Sequence, residues 1–185
     1  METLEFVVED TILPHDKDLI GMEAERIVWL INQNPFAERI WDLLLNPEIA
    51  KKPVVNKKDQ LSAPNCIGTA FFVAGVSSLG YPYHAYSFEL NPHMEQPKPE
   101  KEDDSLFALF RRHDERRIPG AFCFSYCVGN EDWHAGIYLG AIKDEQILFA
   151  QNGHGGNFCL QTLNRNYSGP DFYIPKTLLG KGVKA

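Results

Sequence analysis

The stretch that decides the fold runs Pro119-Gly120-Ala121-Phe122-Cys123-Phe124-Ser125-Tyr126-Cys127-Val128 and, after a polar break, His134-Ala135-Gly136-Ile137-Tyr138-Leu139-Gly140-Ala141. Aromatic and apolar strand formers fill both runs, and Gly-Asn-Glu-Asp lies between them, which predicts two neighbouring antiparallel strands. The same reading continues toward the C-terminus, with strands expected over Gln146–Gln151, Phe158–Leu163 and Phe172–Pro175. Lys-Asp-Glu, Asn-Gly-His-Gly-Gly-Asn and Asn-Tyr-Ser-Gly-Pro supply the turns between them.

Upstream of Ile118 the period changes to that of helices. Met22–Asn32 is amphipathic, with Ile27, Leu30 and Ile31 on one face. Asn34-Pro35 reads as a cap followed by the first helical position, opening a second helix that carries Phe36, Ile40, Leu43 and Leu44 and stops at Asn46-Pro47. Residues 1–20 read as irregular, with a short strand at Leu4–Val8, and Lys51–Pro64 as a polar connector. A third helix is expected from Asn65 or Cys66 to a C-cap at Leu79-Gly80. Tyr83–Leu90 reads as a strand and Asn91–Asp104 as an exposed loop. Ser105–Arg116 reads as a short helix with Leu106, Leu109 and Phe110 inward and a basic patch at Arg111, Arg112, Arg116 and Arg117. Helices first and a meander after them make an α+β layout of about five or six strands, with the Cys66 helix packed on the sheet.

The chain has 185 residues, which suits a single domain: 1–60 as a helical N-terminal extension and 61–185 as the core. Apolar residues at 44% and charged residues at 23% are ordinary globular usage. A net charge of −7 argues against nucleic acid, whose binding rests on neutralising phosphates. No apolar run reaches the roughly 18 residues of a membrane-spanning helix. The acidic start, Met1–Asp10, lacks the features of a signal peptide, so the chain as written reads as cytoplasmic, unless it has been trimmed or is exported by a non-classical route. The N-terminal helices cover the main domain or dock a protein partner.

Four cysteines, Cys66, Cys123, Cys127 and Cys159, lie in apolar contexts. A zinc set of Cys123, Cys127, His134 and Cys159 matches no common spacing, so the reading is buried thiols, with no metal and no cofactor. Cys66 differs from the rest. It stands at a predicted helix N-terminus, where the partial positive charge favours the thiolate. His134, at the mouth of an apolar strand, is the imidazole that could take its proton, and a third group would have to orient that ring.

Several segments together resemble the NlpC-type papain-like cysteine peptidases, with the CHAP amidases as related enzymes. Asn65-Cys66-Ile67-Gly68 is similar to their Asp-Cys-Ser-Gly helix start, Pro119–Phe124 to their Pro-Gly-Asp-Leu-Val-Phe strand, and His134–Gly140 to their His-Val-Gly-Ile-Tyr-Leu-Gly strand. The resemblance covers about Asn65–Leu163. It implies a papain-like fold and a probe-able chemistry: Cys66 attacks an amide carbonyl, His134 serves as base and then acid, and the Cys66 amide helps hold the oxyanion. Simple alignment puts the orienting residue at Phe149, which accepts no hydrogen bond. Gln151, on the same strand face, resembles the CHAP arrangement and ranks first as third residue, ahead of Asn152 and His154. Asn65, Ile67 and Ala121 depart from the family pattern. The expected activity is hydrolysis of a cell-wall peptide or protein amide. The alternatives are a deamidase or acyltransferase acting on a cytosolic protein, and an inactive or regulatory protein-binding module on the same fold. Asn152–Gly156 also reads as a hairpin turn rather than a phosphate loop, since it lacks Lys-Ser/Thr and a following helix.

Overall fold

The strand period is realised in a six-stranded antiparallel sheet in the computed structural model, which describes residues 2–12, 24–55, 60–76, 79–85, 110–112, 117–127, 132–163 and 167–179. The helices are α1 (Glu2–Thr11), α2 (Ala24–Gln33), α3 (Ala37–Leu45), α4 (Cys66–Val73) and a last turn α5 (Lys176–Leu179). The strands are β1 (Val54–Val55), β2 (Leu61–Ser62), β3 (Phe110–Arg112), β4 (Phe122–Cys127), β5 (Asp132–Ile142), β6 (Glu145–Gln151), β7 (Phe158–Thr162) and β8 (Tyr167–Pro175). The main sheet has the order β3-β8-β4-β5-β6-β7. Strands β4 to β7 form the expected meander, whereas β8 crosses back to pair with β4. The architecture is α+β.

Strand alternation sorts the side chains into two layers. Phe122, Phe124, Ala135, Ile137, Leu139, Ile147, Phe149, Phe158 and Leu160 face the helices and share one core with Ile27, Ile31, Ile40, Leu43, Ile67 and Phe71. Ala121, Cys123, Tyr138, Leu148, Leu163 and Phe172 form a smaller cluster on the opposite face. The N-terminal helices thus close the same core as α4 and the sheet.

Several expectations need correction. Residues 2–11 are helical rather than irregular, because Leu4, Val7, Val8 and Thr11 recur at helical spacing and Val8 is buried under α2. Helix α3 starts at Ala37, later than Asn34-Pro35 suggested. Asn34 instead accepts from the Phe36 amide at 3.1 Å and donates to the Tyr138 carbonyl at 3.1 Å, fixing the turn before the helix on the sheet. The connector contains a small antiparallel pair, Val54 with Ser62 and Val55 with Leu61. Phe110–Arg112, expected in a helix, pairs with Tyr173–Ile174–Pro175 of β8. Partners from a distant segment there outweigh local helical spacing. The loop Asn91–Asp104, the rest of Ser105–Arg116 and the end of Tyr83–Leu90 lie outside the described residues.

Helix α4 also stops early. Gly75, at φ +71°, takes the left-handed position past its C-terminus, and the Gly75 and Val76 amides return to Phe72 and Phe71 carbonyls. Arg39 then donates to the Phe72 and Val73 carbonyls at 3.0 and 3.2 Å, and Thr177 to Ala74 at 2.7 Å. A cation at this end complements the helix dipole. Among the described residues no helix is long and apolar enough to cross a membrane.

On the second face Tyr138 meets the Phe172 ring edge-on at 5.5 Å, and the Arg117 guanidinium lies 5.2 Å from the same ring centroid. Burial pushes the Tyr138 phenol above its ordinary value of 10.0, with Arg117 pulling the other way. The unfolded chain therefore gives up this proton first as pH rises, so stability is flat in this group below about pH 10 and falls above it. Urea midpoints at pH 9 and pH 11 are expected to show that fall, and Tyr138→Phe to reduce it. An equal fall in the variant would remove Tyr138 as its source.

Candidate active site

Cys66 is the first residue of α4, and the segment before it is held from two sides. The Asn65 side-chain oxygen accepts from Gly68 at 3.0 Å, capping the helix, and from Ala85 at 3.1 Å. Its amide nitrogen donates to the Ala85 carbonyl at 2.6 Å, and its backbone N–H to the Tyr83 carbonyl at 3.3 Å. An asparagine at this position has a chemical consequence. Only a side chain with both an acceptor and a donor can bind both Ala85 groups. Cys66 itself is 7% exposed and packs in the helix-side core.

The turn after β6 supports the same segment. The Gly155 amide donates to the Pro64 carbonyl at 2.9 Å, and the Asn152 amide to Asn157 at 2.9 Å. The Gly153 amide goes to Gln151 at 3.0 Å, so three of the loop's amides are committed within the fold rather than arrayed toward a phosphate. His154, exposed in this turn, stands edge-to-face with His84 at 4.8 Å between centroids. His84 lies between Tyr83 and Ala85, the two residues bonded to Asn65. The segments carrying His84 and His154 are thus bonded to Asn65 and Pro64, the two residues before Cys66.

Gln151 does not orient His134. It is fully buried, opposite Phe158 on the helix-side face, and its amide is spent elsewhere. The Thr69 hydroxyl donates to its oxygen at 2.6 Å, and its nitrogen donates to the Ala50 and Gly156 carbonyls, each at 3.0 Å. It locks α4, the Pro47–Lys51 3-10 helix and the β6–β7 turn together. Asn152, the second choice, is exposed in the turn.

The group that meets His134 is Gln161, on β7. Their Nε2 atoms lie 2.5 Å apart. Gln161 is opposite Leu148 in register, and Leu148 belongs to the second face. His134 alternates with Ala135, Ile137 and Leu139 of the helix-side core and so shares that second face, where buried Ser125 is its partner on β4. Gly136 and Ala150, small and directly paired, lie along the diagonal between the two side chains. The structure therefore groups Cys66, Thr69 and Gln151 on one side of the sheet, and His134 and Gln161 on the other.

Sequence reasoning named Cys66, His134 and His154, assigned no role to His84 and passed over Gln161. The signal for Gln161 was its place out of phase with Phe158 and Leu160, which marks it as facing away from the helices. Nothing local to His84 announced its tie to Asn65. Cys66, Cys123 and Cys159 hold thiols rather than disulfides, and among the described residues no group of three metal-binding side chains converges. Comparison with protein-family models, with curated proteins and with solved structures finds no match.

Proposed function

We propose that the protein is a cysteine hydrolase of amide bonds on a papain-like fold, with Cys66 as its nucleophile. The observation that carries this reading is the position of Cys66: first residue of a helix whose start is fixed by the Asn65 cap. In the reaction the Cys66 sulfur attacks the amide carbonyl carbon as its proton passes to an imidazole. The C–N bond then breaks and the amine leaves with that proton. Water attacks the resulting thioester, releasing a carboxylate and restoring the thiol. The Gly68 and Thr69 amides are spent on Asn65, and the resemblance assigns the oxyanion to the Cys66 amide. The resemblance assigns the base to His134 and points to peptide amides, in cell-wall stems or in proteins, as substrates.

Cys66→Ala is expected to lower turnover of peptide amides by at least about a thousandfold while leaving the fold intact. The substrates to use are peptidoglycan stem peptides and a cell-lysate proteome, read by mass spectrometry. In the unmodified protein, iodoacetamide at pH 6–7 should label Cys66 before Cys123 and Cys159, because a poised thiolate reacts first. Equal labelling of the three would sink the reading.

A further inference from the structure

We propose that the open edge of β7 is a docking site for an extended peptide, which pairs with the backbone of Phe158 and carries a basic side chain toward an acidic rim. Strand β7 ends the main sheet, so among the described residues no strand lies on its far side. The register shows which groups face that side. Asn157 accepts from the Asn152 amide and the Leu163 amide donates to Gln146, so 157 and 163 are hydrogen-bonded positions of the β6–β7 ladder. Such positions recur every second residue, which turns the N–H and C=O of Phe158, Leu160 and Thr162 away from β6. Leu160 is met there by Ile12, in a single parallel bridge just past the end of α1. Before Ile12 the chain is helical and takes no part in the ladder. Among the described residues nothing pairs with the outward N–H and C=O of Phe158, although the residue is only 2% exposed.

Backbone groups in so enclosed a place almost always have partners, and a strand edge presenting both a donor and an acceptor is matched by another extended backbone. Space for one exists. A groove of about 910 Å³ opens beside Phe158, between α1, the end of α3, the Pro47–Lys51 3-10 helix and the β6–β7 turn. Its floor is apolar, with Ile12, Leu44 and Phe158 buried, and Leu45 on its wall is 51% exposed. An apolar side chain of the peptide would cover Leu45. Exposed Asp10, Glu48 and Lys51 line the same groove. Two carboxylates against one ammonium favour a lysine or arginine side chain over an acidic one. A second copy of the chain is a poor fit, because Ile12 already occupies the next rung and a single free rung cannot join two folded sheets edge to edge. A slim peptide needs no more than that rung and the groove. Peptide capture here does not require Cys66 to be reactive.

The test is an amide NMR titration of the full chain with the peptide acetyl-Val-Lys-Val-Lys-Val-amide. The Cys66→Ala protein serves as a second sample, so that cleavage of the probe is not mistaken for failure to bind. The Phe158 amide is expected to shift saturably, and its exchange with deuterated water to slow by roughly tenfold at saturation. The same peptide methylated on its backbone nitrogens should not bind, since it has lost the donors that a strand edge requires. The counterpart with glutamate in place of lysine should bind roughly tenfold more weakly, and Glu48→Gln should weaken the lysine peptide by roughly threefold, with circular dichroism melts as the control for folding. No shift at Phe158 with millimolar peptide, or equal binding of the methylated peptide, overturns backbone pairing at this edge. Equal binding of the glutamate peptide overturns the basic preference. A Phe158 amide that shifts with protein concentration alone makes the occupant a second copy and overturns the peptide. None of these outcomes bears on Cys66, whose reactivity is read separately by its labelling.

Discussion

Gly68→Ala is expected to destabilise the protein by about 3 kcal/mol or more, the upper end of what overpacking costs. A methyl group on Gly68 would overlap the Tyr83 carbonyl oxygen and crowd the Ala85 amide nitrogen, all of it backbone. Relief cannot come from a rotamer change. Either α4 lifts or the Tyr83–Ala85 segment retreats, and both movements break the Asn65 bonds to Tyr83 and Ala85. For a domain of this size the melting temperature should fall by roughly 10 °C. A variant within about 0.5 kcal/mol of the parent in urea unfolding would show that the close approach of α4 to Tyr83 is not a feature of the folded protein.

The second large effect is expected at Gln151. Gln151→Leu keeps the volume but removes the partner of the Thr69 hydroxyl and of the Ala50 and Gly156 carbonyls, in a site closed to water. Each buried polar group left without a partner costs about 1–3 kcal/mol, so a loss of about 3 kcal/mol or more is expected. Gln151→Glu sharpens the test because it keeps the shape and changes only the donor. A carboxylate there would face two carbonyl oxygens, so the folded state should hold its proton more tightly than the unfolded chain, where a Glu titrates near about 4.3. Stability of Gln151→Glu should therefore be greatest at low pH and decline as pH rises through the raised folded value. Urea midpoints at pH 4.5 and pH 7 measure this directly. Were Gln151 instead the group that steadies His134, both variants would alter alkylation of Cys66 with little effect on unfolding.

The strands after Ile118 were legible because their chemistry is local. Alternation and β-branched or aromatic residues between turn signals gave β4, β5, β6 and β7 to within one or two residues, and the Cys66 helix start followed from an Asn with a free run of small apolar residues behind it. What failed did so where remote partners decide. Phe110–Arg112 becomes a strand because β8 lies beside it, and Glu2–Thr11 becomes a helix because α2 covers its apolar side. The helix stop at Gly75 was missed because Gly80 offers the same residue type a few positions on, and only the backbone angle distinguishes them. At the site, Cys66 and its surroundings were legible, while the partner of His134 was not. Gln151 and Gln161 are the same side chain on neighbouring strands, and sequence spacing favoured the nearer one.

By itself the sequence determined an α+β chain, a sheet with a period of two and a thiol at a helix start, because each follows from residues within a turn or a hairpin of one another. Only the tertiary structure decided which face His134 occupies, where Gln151 spends its amide, and that His84 and His154 meet beside Asn65. The physical reason is that alternation fixes which side chains share a face but not which face the helices cover. That choice is made by packing between segments far apart in the chain, and with it the identity of every buried hydrogen-bond partner.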